Sequence, residues 1–332
     1  MSFVTFSRNV FIPLTNVCRN KCGYCGFRRD MGHPEAKLLS PGEAMDILSK
    51  GARAGCSEAL FTFGERPEEV PGFREWLCGY GYENIIDYVL DLCKLSIRFG
   101  LLPHTNAGIL EKPELEKLRP YNASMGLMLE TLADIKAHED CAGKNPGSRI
   151  KTIEYAGELK IPFTTGILVG IGETWEERVR SIHKIRELHE EFGHIQEVII
   201  QNFIPKPGTK MASCDVPGLD EMIRTVKMAR ELLPSDITIQ VPPNLIPPRE
   251  LVKCGASDLG GISPETIDHI NPESPWPNYL ELRKMVDFPL HERLPIYPKY
   301  IKKGWYSAHT RDILNRLSDA EGFRKTYKQV SH

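Results

Sequence analysis

Short apolar runs recur along the whole chain. Between them lie longer segments in which apolar residues return every three or four positions. The runs Val10–Leu14, Ala59–Phe63, Leu101–Thr105, Ser124–Leu129, Phe163–Val169, Glu197–Gln201, Ile237–Val241 and Ala256–Leu259 are bounded by turn residues and often carry β-branched side chains, which predicts strands. Ser40-Pro41-Gly42-Glu43 has the form of a capping box with proline at the first helical position, predicting a helix that runs towards Ala54. Thr174 and Glu177 repeat the box and predict a helix over Trp175–Phe192. Helical spacing also marks Asn84–Phe99 and Asp220–Leu233. Strand–helix alternation calls for a parallel sheet, and eight repeats over about 260 residues match a (β/α)8 barrel of the TIM type. A doubly wound open sheet fits less well, because the strands recur through the whole chain. The Pro-rich stretch Asn271–Pro277 reads as a loop leaving the barrel. It divides the chain into a barrel, 1–277, and a charged, helical extension, 278–332, packed on the barrel's outside.

Composition narrows the setting. The 332 residues carry a net charge of -2, with 41% hydrophobic and 26% charged residues. These are the proportions of a soluble globular protein, with no basic surplus to argue for nucleic acid or an anionic membrane. The N-terminus lacks the marks of a signal peptide and no apolar stretch approaches a membrane span, so a cytoplasmic protein is expected. Of the nine cysteines, Cys18, Cys22 and Cys25 cluster. Cys56, Cys78, Cys93, Cys141, Cys214 and Cys254 are scattered, as buried thiols commonly are.

The cluster, Cys18-Arg-Asn-Lys-Cys22-Gly-Tyr-Cys25, follows the first predicted strand, which places it at the catalytic face of a barrel. Thiolates are soft ligands suited to iron–sulfur clusters. Three of them can hold three irons of a 4Fe-4S cluster and leave the fourth open. A structural zinc site would need a fourth ligand, usually from a second knuckle, and no second knuckle lies nearby.

This C-x3-C-x2-C spacing, with an aromatic residue (Tyr24) before the last cysteine, resembles the radical S-adenosylmethionine (SAM) superfamily. The resemblance implies a 4Fe-4S cluster on Cys18, Cys22 and Cys25. It also implies SAM chelated to the open iron, and a 5′-deoxyadenosyl radical that takes a hydrogen atom from substrate. Phe63-Gly64-Glu65 resembles the superfamily's GGE motif, which contacts the methionyl amino group; Phe63 replaces its first glycine, so only Gly64 and Glu65 carry over. Gly166-Ile-Leu168-Val-Gly170-Ile-Gly-Glu173 is similar to the GxIxGxxE motif beside the adenine, although alone it reads as a Gly-rich strand-to-helix turn. Glu130 and Arg149 resemble SAM contacts of the biotin-synthase branch, the first to ribose or amino groups, the second to the carboxylate.

Further blocks look like the CofG-type family, over roughly residues 8 to 280. They are Cys18–Arg28, Phe61–Glu68, His104-Thr-Asn106-Ala-Gly, Gln201–Thr209, Asp258-Leu-Gly-Gly-Ile-Ser-Pro264 and Asp268–Trp276. That resemblance implies a carbon–nitrogen lyase of deazaflavin (coenzyme F(420)) biosynthesis. Its substrate would be a hydroxybenzyl–ribitylimino–uracil adduct made by a CofH-type partner enzyme, closed to a three-ring chromophore with loss of ammonia. A low-potential electron donor is implied as well.

Such a substrate needs amide and hydroxyl partners beside apolar surface. His104, Thr105, Asn106, Gln201, Asn202, Asn244 and Asp258 lie at or near predicted strand ends and are candidates for it; no general acid or base is assigned. Three rival readings remain at this point. They are a tyrosine-cleaving CofH-like or biotin-synthase-like enzyme, a metal-knuckle protein that binds nucleic acid, and a structural zinc protein.

Overall fold

The computed structural model describes residues 3–325. Strands β1 (Val4–Pro13), β2 (Glu58–Thr62), β3 (Leu102–Asn106), β4 (Ser124–Gly126), β5 (Phe163–Val169), β6 (Ile195–Asn202), β7 (Thr238–Gln240) and β8 (Asp258–Ile262) follow one another round the sheet. β1 bonds to both β8 and β2, which closes the ring. The pairings are parallel, with Asn9 opposite Glu58 and Leu60 opposite His104. Helices α1 (Pro41–Arg53), α2 (Phe73–Gly79), α3 (Ile85–Arg98), α4 (Lys112–Leu118), α5 (Pro146–Glu158), α6 (Trp175–Phe192), α7 (Leu219–Leu232) and α8 (Pro248–Lys253) fill the connections. The fold is therefore the expected (β/α)8 barrel. Among the described residues no helix is long and apolar enough to cross a membrane.

Both predicted capping boxes form. The Ser40 side chain accepts from the Glu43 N–H and the Thr174 side chain from the Glu177 N–H, with each glutamate reaching back to the cap backbone. These caps satisfy N–H groups that a helix start leaves free. β5 is buried throughout, as its unbroken apolar run suggested.

Strand limits differ where the barrel interior is polar. β1 begins at Val4, before the predicted Val10. Its early inward residues are Thr5, Ser7 and Asn9, so this half does not read as an apolar run. Thr5 and Ser7 donate to Asp258 and Glu58 in short hydrogen bonds. The β4 ladder ends at Gly126, and the chain rejoins β5 only at an isolated bridge between Glu130 and Ile167.

The segment Asn271–Pro277 folds over the mouth of the barrel instead of leaving it. Asp268 holds the Ile270 and Asn271 N–H groups, and the Lys206 ammonium reaches Asn271 Oδ1 at 2.8 Å.

The tail then does more than cover the outside. After α9 (Tyr279–Met285), β9 (Leu290–Glu292) pairs with the first residues of β1, and Arg293–Tyr297 passes beneath the barrel. α10 (Pro298–Lys302) and α11 (Ala308–Leu317) complete the tail. Leu294, Ile296, Tyr297 and Tyr300 form a second apolar cluster with Leu102, Leu314 and Leu317. Residues 326–332 of the proposed extension lie outside the described residues.

Arg293 enters the barrel from below. Its Nε and Nη2 donate to the two oxygens of Asp258 at 2.6 and 3.0 Å, and Nη2 also donates to Glu197 at 3.0 Å. Asp258, one of the substrate candidates, is thus a floor residue. It opens β8 at the strand's N-terminal end, is fully buried, and has its carboxylate filled by Arg293, Thr5 and the Gly260 N–H.

Candidate active site

A cavity of about 430 Å³ runs from the C-terminal ends of the strands down to Arg293 and Pro295. Glu58, Leu60 and Thr62, alternate residues of β2, all line it. At roughly 3.3 Å per strand residue the shaft is about 13 Å deep along this wall. Cys18, Cys22 and Cys25 line its mouth.

The cysteine loop leaves β1 and is held from several sides. Cys18 Sγ accepts the Glu65 N–H at 3.2 Å, and the Arg19 N–H donates to the Glu65 carbonyl at 3.0 Å. A side chain on Gly64 would place its Cβ 1.9 Å from the Val17 carbonyl oxygen, so only glycine allows β2 to approach the loop this closely. The Gly23 N–H donates to Ala137 O and the Met211 N–H to Gly23 O, tying the loop to two neighbouring connections. Tyr24 packs edge-on to His138, with its hydroxyl 3.0 Å from Nε2.

Cys141, one of the scattered cysteines, comes within 3.8 Å of Cys22 Sγ. No spacing in the sequence signals it. The Cys22 thiol is drawn down to about 7 by the Cys141 hydrogen bond, with burial opposing and Lys144 and Arg149 assisting. Burial pushes Cys18 up to about 11.

Beside the cysteines stands a row of alternating charge. Arg19 meets Glu65 at 2.9 Å, Arg149 meets Glu65 at 3.4 Å and Glu130 at 3.9 Å, and Lys144 meets Glu130. Glu65, Glu130, Arg149 and Lys144 all line the cavity. Burial works against the Glu130 charge, but Lys144 and Arg149 outweigh it and hold the carboxyl below its usual range. Glu130 adopts φ +66°, a left-handed backbone that costs a non-glycine residue energy and commonly marks a ligand site.

Glu65 is already well occupied: Arg19, Asn20, the Ile109 N–H and Arg149 all donate to its carboxylate. Two arms of Arg149 donate to Met128 O and Gly143 O at 2.6 and 2.8 Å. Lys144 was not anticipated from the sequence, where it is one lysine among many.

In the Gly166–Glu173 stretch only Leu168 lines the cavity. A Cβ on Gly166 would lie 2.3 Å from Ile199 O, and Gly170 has φ +92°. Glu173 folds back onto the Gly170 and Ile171 N–H groups and pairs with Arg178. The glycines therefore shape the turn, and Leu168 supplies an apolar wall.

Deeper in the shaft lie His104, Asn106, Gln201 and Asn202, with Asn244 at the rim. Thr105 faces the helix layer, donating to Asn122. His104 Nδ1 is 2.7 Å from Ser124 Oγ, whose own proton goes to Pro295 O. The imidazole proton therefore sits on Nδ1. Burial, helped by Arg293, lowers its pKa to about 4 and keeps it neutral. Nε2 is then an acceptor that takes the Asn106 side-chain amide N–H, 3.1 Å away.

Asn202 Oδ1, Asn244 Oδ1 and Trp276 Nε1 are buried without a hydrogen-bond partner. All three residues line the cavity. A buried polar atom without a partner is costly, so their convergence on one space marks it as built for a polar ligand. The role of Trp276 was hidden in the sequence because its loop was expected to leave the barrel.

The residues present suit an iron–sulfur cluster. Among the described residues no group of three Cys, His, Asp or Glu side chains closes on a point as a single metal ion requires. Cys18, Cys22 and Cys25 all line the mouth of one cavity and are the soft ligands such a cluster takes, and Lys144 and Arg149 nearby offset thiolate charge. The sequence pattern of the Radical SAM superfamily matches residues 12–185. The chain belongs to that superfamily, whose members use a 4Fe-4S cluster and SAM.

Within it, the chain belongs to the family of 7,8-didemethyl-8-hydroxy-5-deazariboflavin synthases. It is 62% identical to the synthase of Methanococcoides burtonii over 97% of this chain and 98% of the relative. Against that of Methanopyrus kandleri the identity is 50%, over 97% and 100%. Solved structures show the same fold at low identity. One is the [FeFe]-hydrogenase maturase HydG, with TM-score 0.71 and 15% identity over 94% of this chain and 70% of that one. Another is methylornithine synthase (PylB), with TM-score 0.61 and 19% identity over 93% and 85%.

Proposed function

We propose that this chain converts 5-amino-5-(4-hydroxybenzyl)-6-(D-ribitylimino)-5,6-dihydrouracil into 7,8-didemethyl-8-hydroxy-5-deazariboflavin (FO) with loss of ammonia, a carbon–nitrogen lyase step of coenzyme F(420) biosynthesis. The observation that carries the reading is a single shaft with three thiols at its mouth, partnerless amide and indole groups along its wall and rim, and a closed floor. Full-length identity to synthases of this name supports the substrate class.

When bound, a 4Fe-4S cluster and SAM would supply one-electron, hydrogen-abstracting chemistry. Cys18, Cys22 and Cys25 hold the cluster. Glu130 and Lys144 offer an acceptor and a donor to the polar groups of SAM. Arg149 steadies both carboxylates and biases the mouth towards the SAM carboxylate. Glu65 braces the cysteine loop against two neighbouring loops, and Leu168 covers the adenine. Asn202, Asn244 and Trp276 present hydrogen-bonding groups to the flat ring system, and neutral His104 holds the Asn106 amide in the shaft wall through Nε2. The roof over the mouth keeps water from the reacting atoms.

A CofH-type enzyme supplies the adduct, and a low-potential donor supplies the electron. A CofH-like, tyrosine-consuming activity is the competing reading.

The test is anaerobic turnover of the cluster-loaded protein with SAM, a low-potential reductant and the adduct. Appearance of FO fluorescence together with 5′-deoxyadenosine is the expected result. Deoxyadenosine without FO would sink the substrate assignment, and turnover of tyrosine in place of the adduct would favour the competing reading.

A further inference from the structure

We infer that the lower shaft is a polyol subsite, in which Asn9 and Glu58 accept hydrogen bonds from the distal hydroxyls of the substrate's ribityl chain. This rests on the reaction proposed above and adds an orientation: ring system at the mouth, sugar-alcohol chain pointing down to the floor.

Asn9 and Glu58 face one another in register on β1 and β2, about 5 Å apart, as neighbouring strands are. Both line the shaft. Asn9 is 1% exposed and its Oδ1 has no partner. The other end of that amide is pressed against Gly261, where an added Cβ would lie 2.1 Å from Nδ2. Glu58 is 5% exposed, and Ser7 occupies its Oε2. Asn9 Oδ1 lacks a donor and stands beside the Glu58 carboxylate, and neighbouring hydroxyl groups on a flexible chain would supply donors to both.

The surroundings suit the same occupant. Leu60 and Leu259 line the shaft beside this pair, offering apolar contact to a carbon chain. Below, Arg293 cannot take the ligand's place as a donor, because Asp258, Glu197 and Leu294 O already use it. Higher up, Phe11, Phe27, Phe203 and Trp276 line the wall, the broad apolar surface that a fused ring system prefers. The reacting ring atoms must lie at the height of the cysteines, and the ribityl chain is the part of the adduct with no reacting atom.

The experiment compares the ribityl adduct with adducts whose chain lacks hydroxyls one at a time from the far end, using kcat/KM for chromophore formation by the cluster-loaded enzyme. A site built to hydrogen-bond hydroxyls rejects an analogue lacking them, here by on the order of 100-fold for the two distal groups together. Asn9→Leu and Glu58→Gln should each reduce that discrimination at least about tenfold. The wild-type series stands even if a variant fails to fold. Discrimination confined to the hydroxyl nearest the ring, or equal turnover of all adducts, would overturn the inference. If no adduct is turned over, the proposed reaction itself has failed and the subsite falls with it.

Discussion

The two ends of the barrel treat buried polar groups in opposite ways. At the floor, Arg293, Asp258, Glu197, Tyr297, Thr164 and Thr5 satisfy one another: Tyr297 and Thr164 both donate to Glu197 at 3.0 Å, and Arg293 grips Asp258 with two parallel bonds. In the upper part of the shaft, Asn202, Asn244 and Trp276 line the wall and each carries a buried polar atom without a partner, and Glu130 holds an unfavourable backbone angle. A saturated network makes a rigid base, whereas unsatisfied groups are tolerated where a ligand completes them. The difference marks the Arg293 network as scaffold and the open shaft above it as the space for a ligand.

The largest expected break of this contrast lies at the mouth. Cys22→Ala should abolish 5′-deoxyadenosine release and lower the iron content, while the far-ultraviolet circular dichroism stays that of the barrel. Retained SAM cleavage in that variant would remove Cys22 from the cluster.

At the floor, Arg293→Met should act on stability. It leaves Asp258 buried without its cation, and removing one partner of such a pair costs about 3–5 kcal/mol. Denaturant unfolding measures this, and a change under about 1 kcal/mol would show that the network relaxes or admits water.

Glu130→Gln, a single charge removed at the mouth, should weaken SAM binding roughly tenfold and also cost stability, because Lys144 and Arg149 lose a buried counter-charge. An unchanged dissociation constant would take Glu130 out of the SAM site.

The floor should also show a pH dependence of stability. Burial raises Glu197 from 4.5 to about 7; Arg293 opposes this, and Asp258, which holds that cation bidentately, adds to it. The folded state therefore binds more protons than the unfolded state between those values. Its stability should fall as pH rises from about 4.5 through about 7, and Glu197→Gln should flatten the slope. Unfolding curves at stepped pH would show it, and a slope unchanged by the substitution would mean that other groups set it.

Much of the upper site was legible in the sequence. The thiol spacing, the glycine of Phe63-Gly64-Glu65 and the two capping boxes are local features, each defined by a few consecutive residues. The members found only in the structure came from elsewhere in the chain. Lys144 reaches Glu130, Cys141 reaches Cys22, and Trp276 reaches the shaft because a loop folds back over the mouth.

What the sequence determined by itself was the alternation of strand and helix, hence the barrel, and the three-cysteine loop at the C-terminal ends of its strands. Backbone geometry and short-range spacing are written in consecutive residues, so they can be read there. Only the tertiary structure decided that the tail closes the barrel from below, that Asp258 belongs to the floor, and that Asn9 and Glu58 stand side by side. These depend on strand register and on contacts such as that of Arg293 with Glu197. Such contacts are set by packing between distant segments, and no local pattern encodes them.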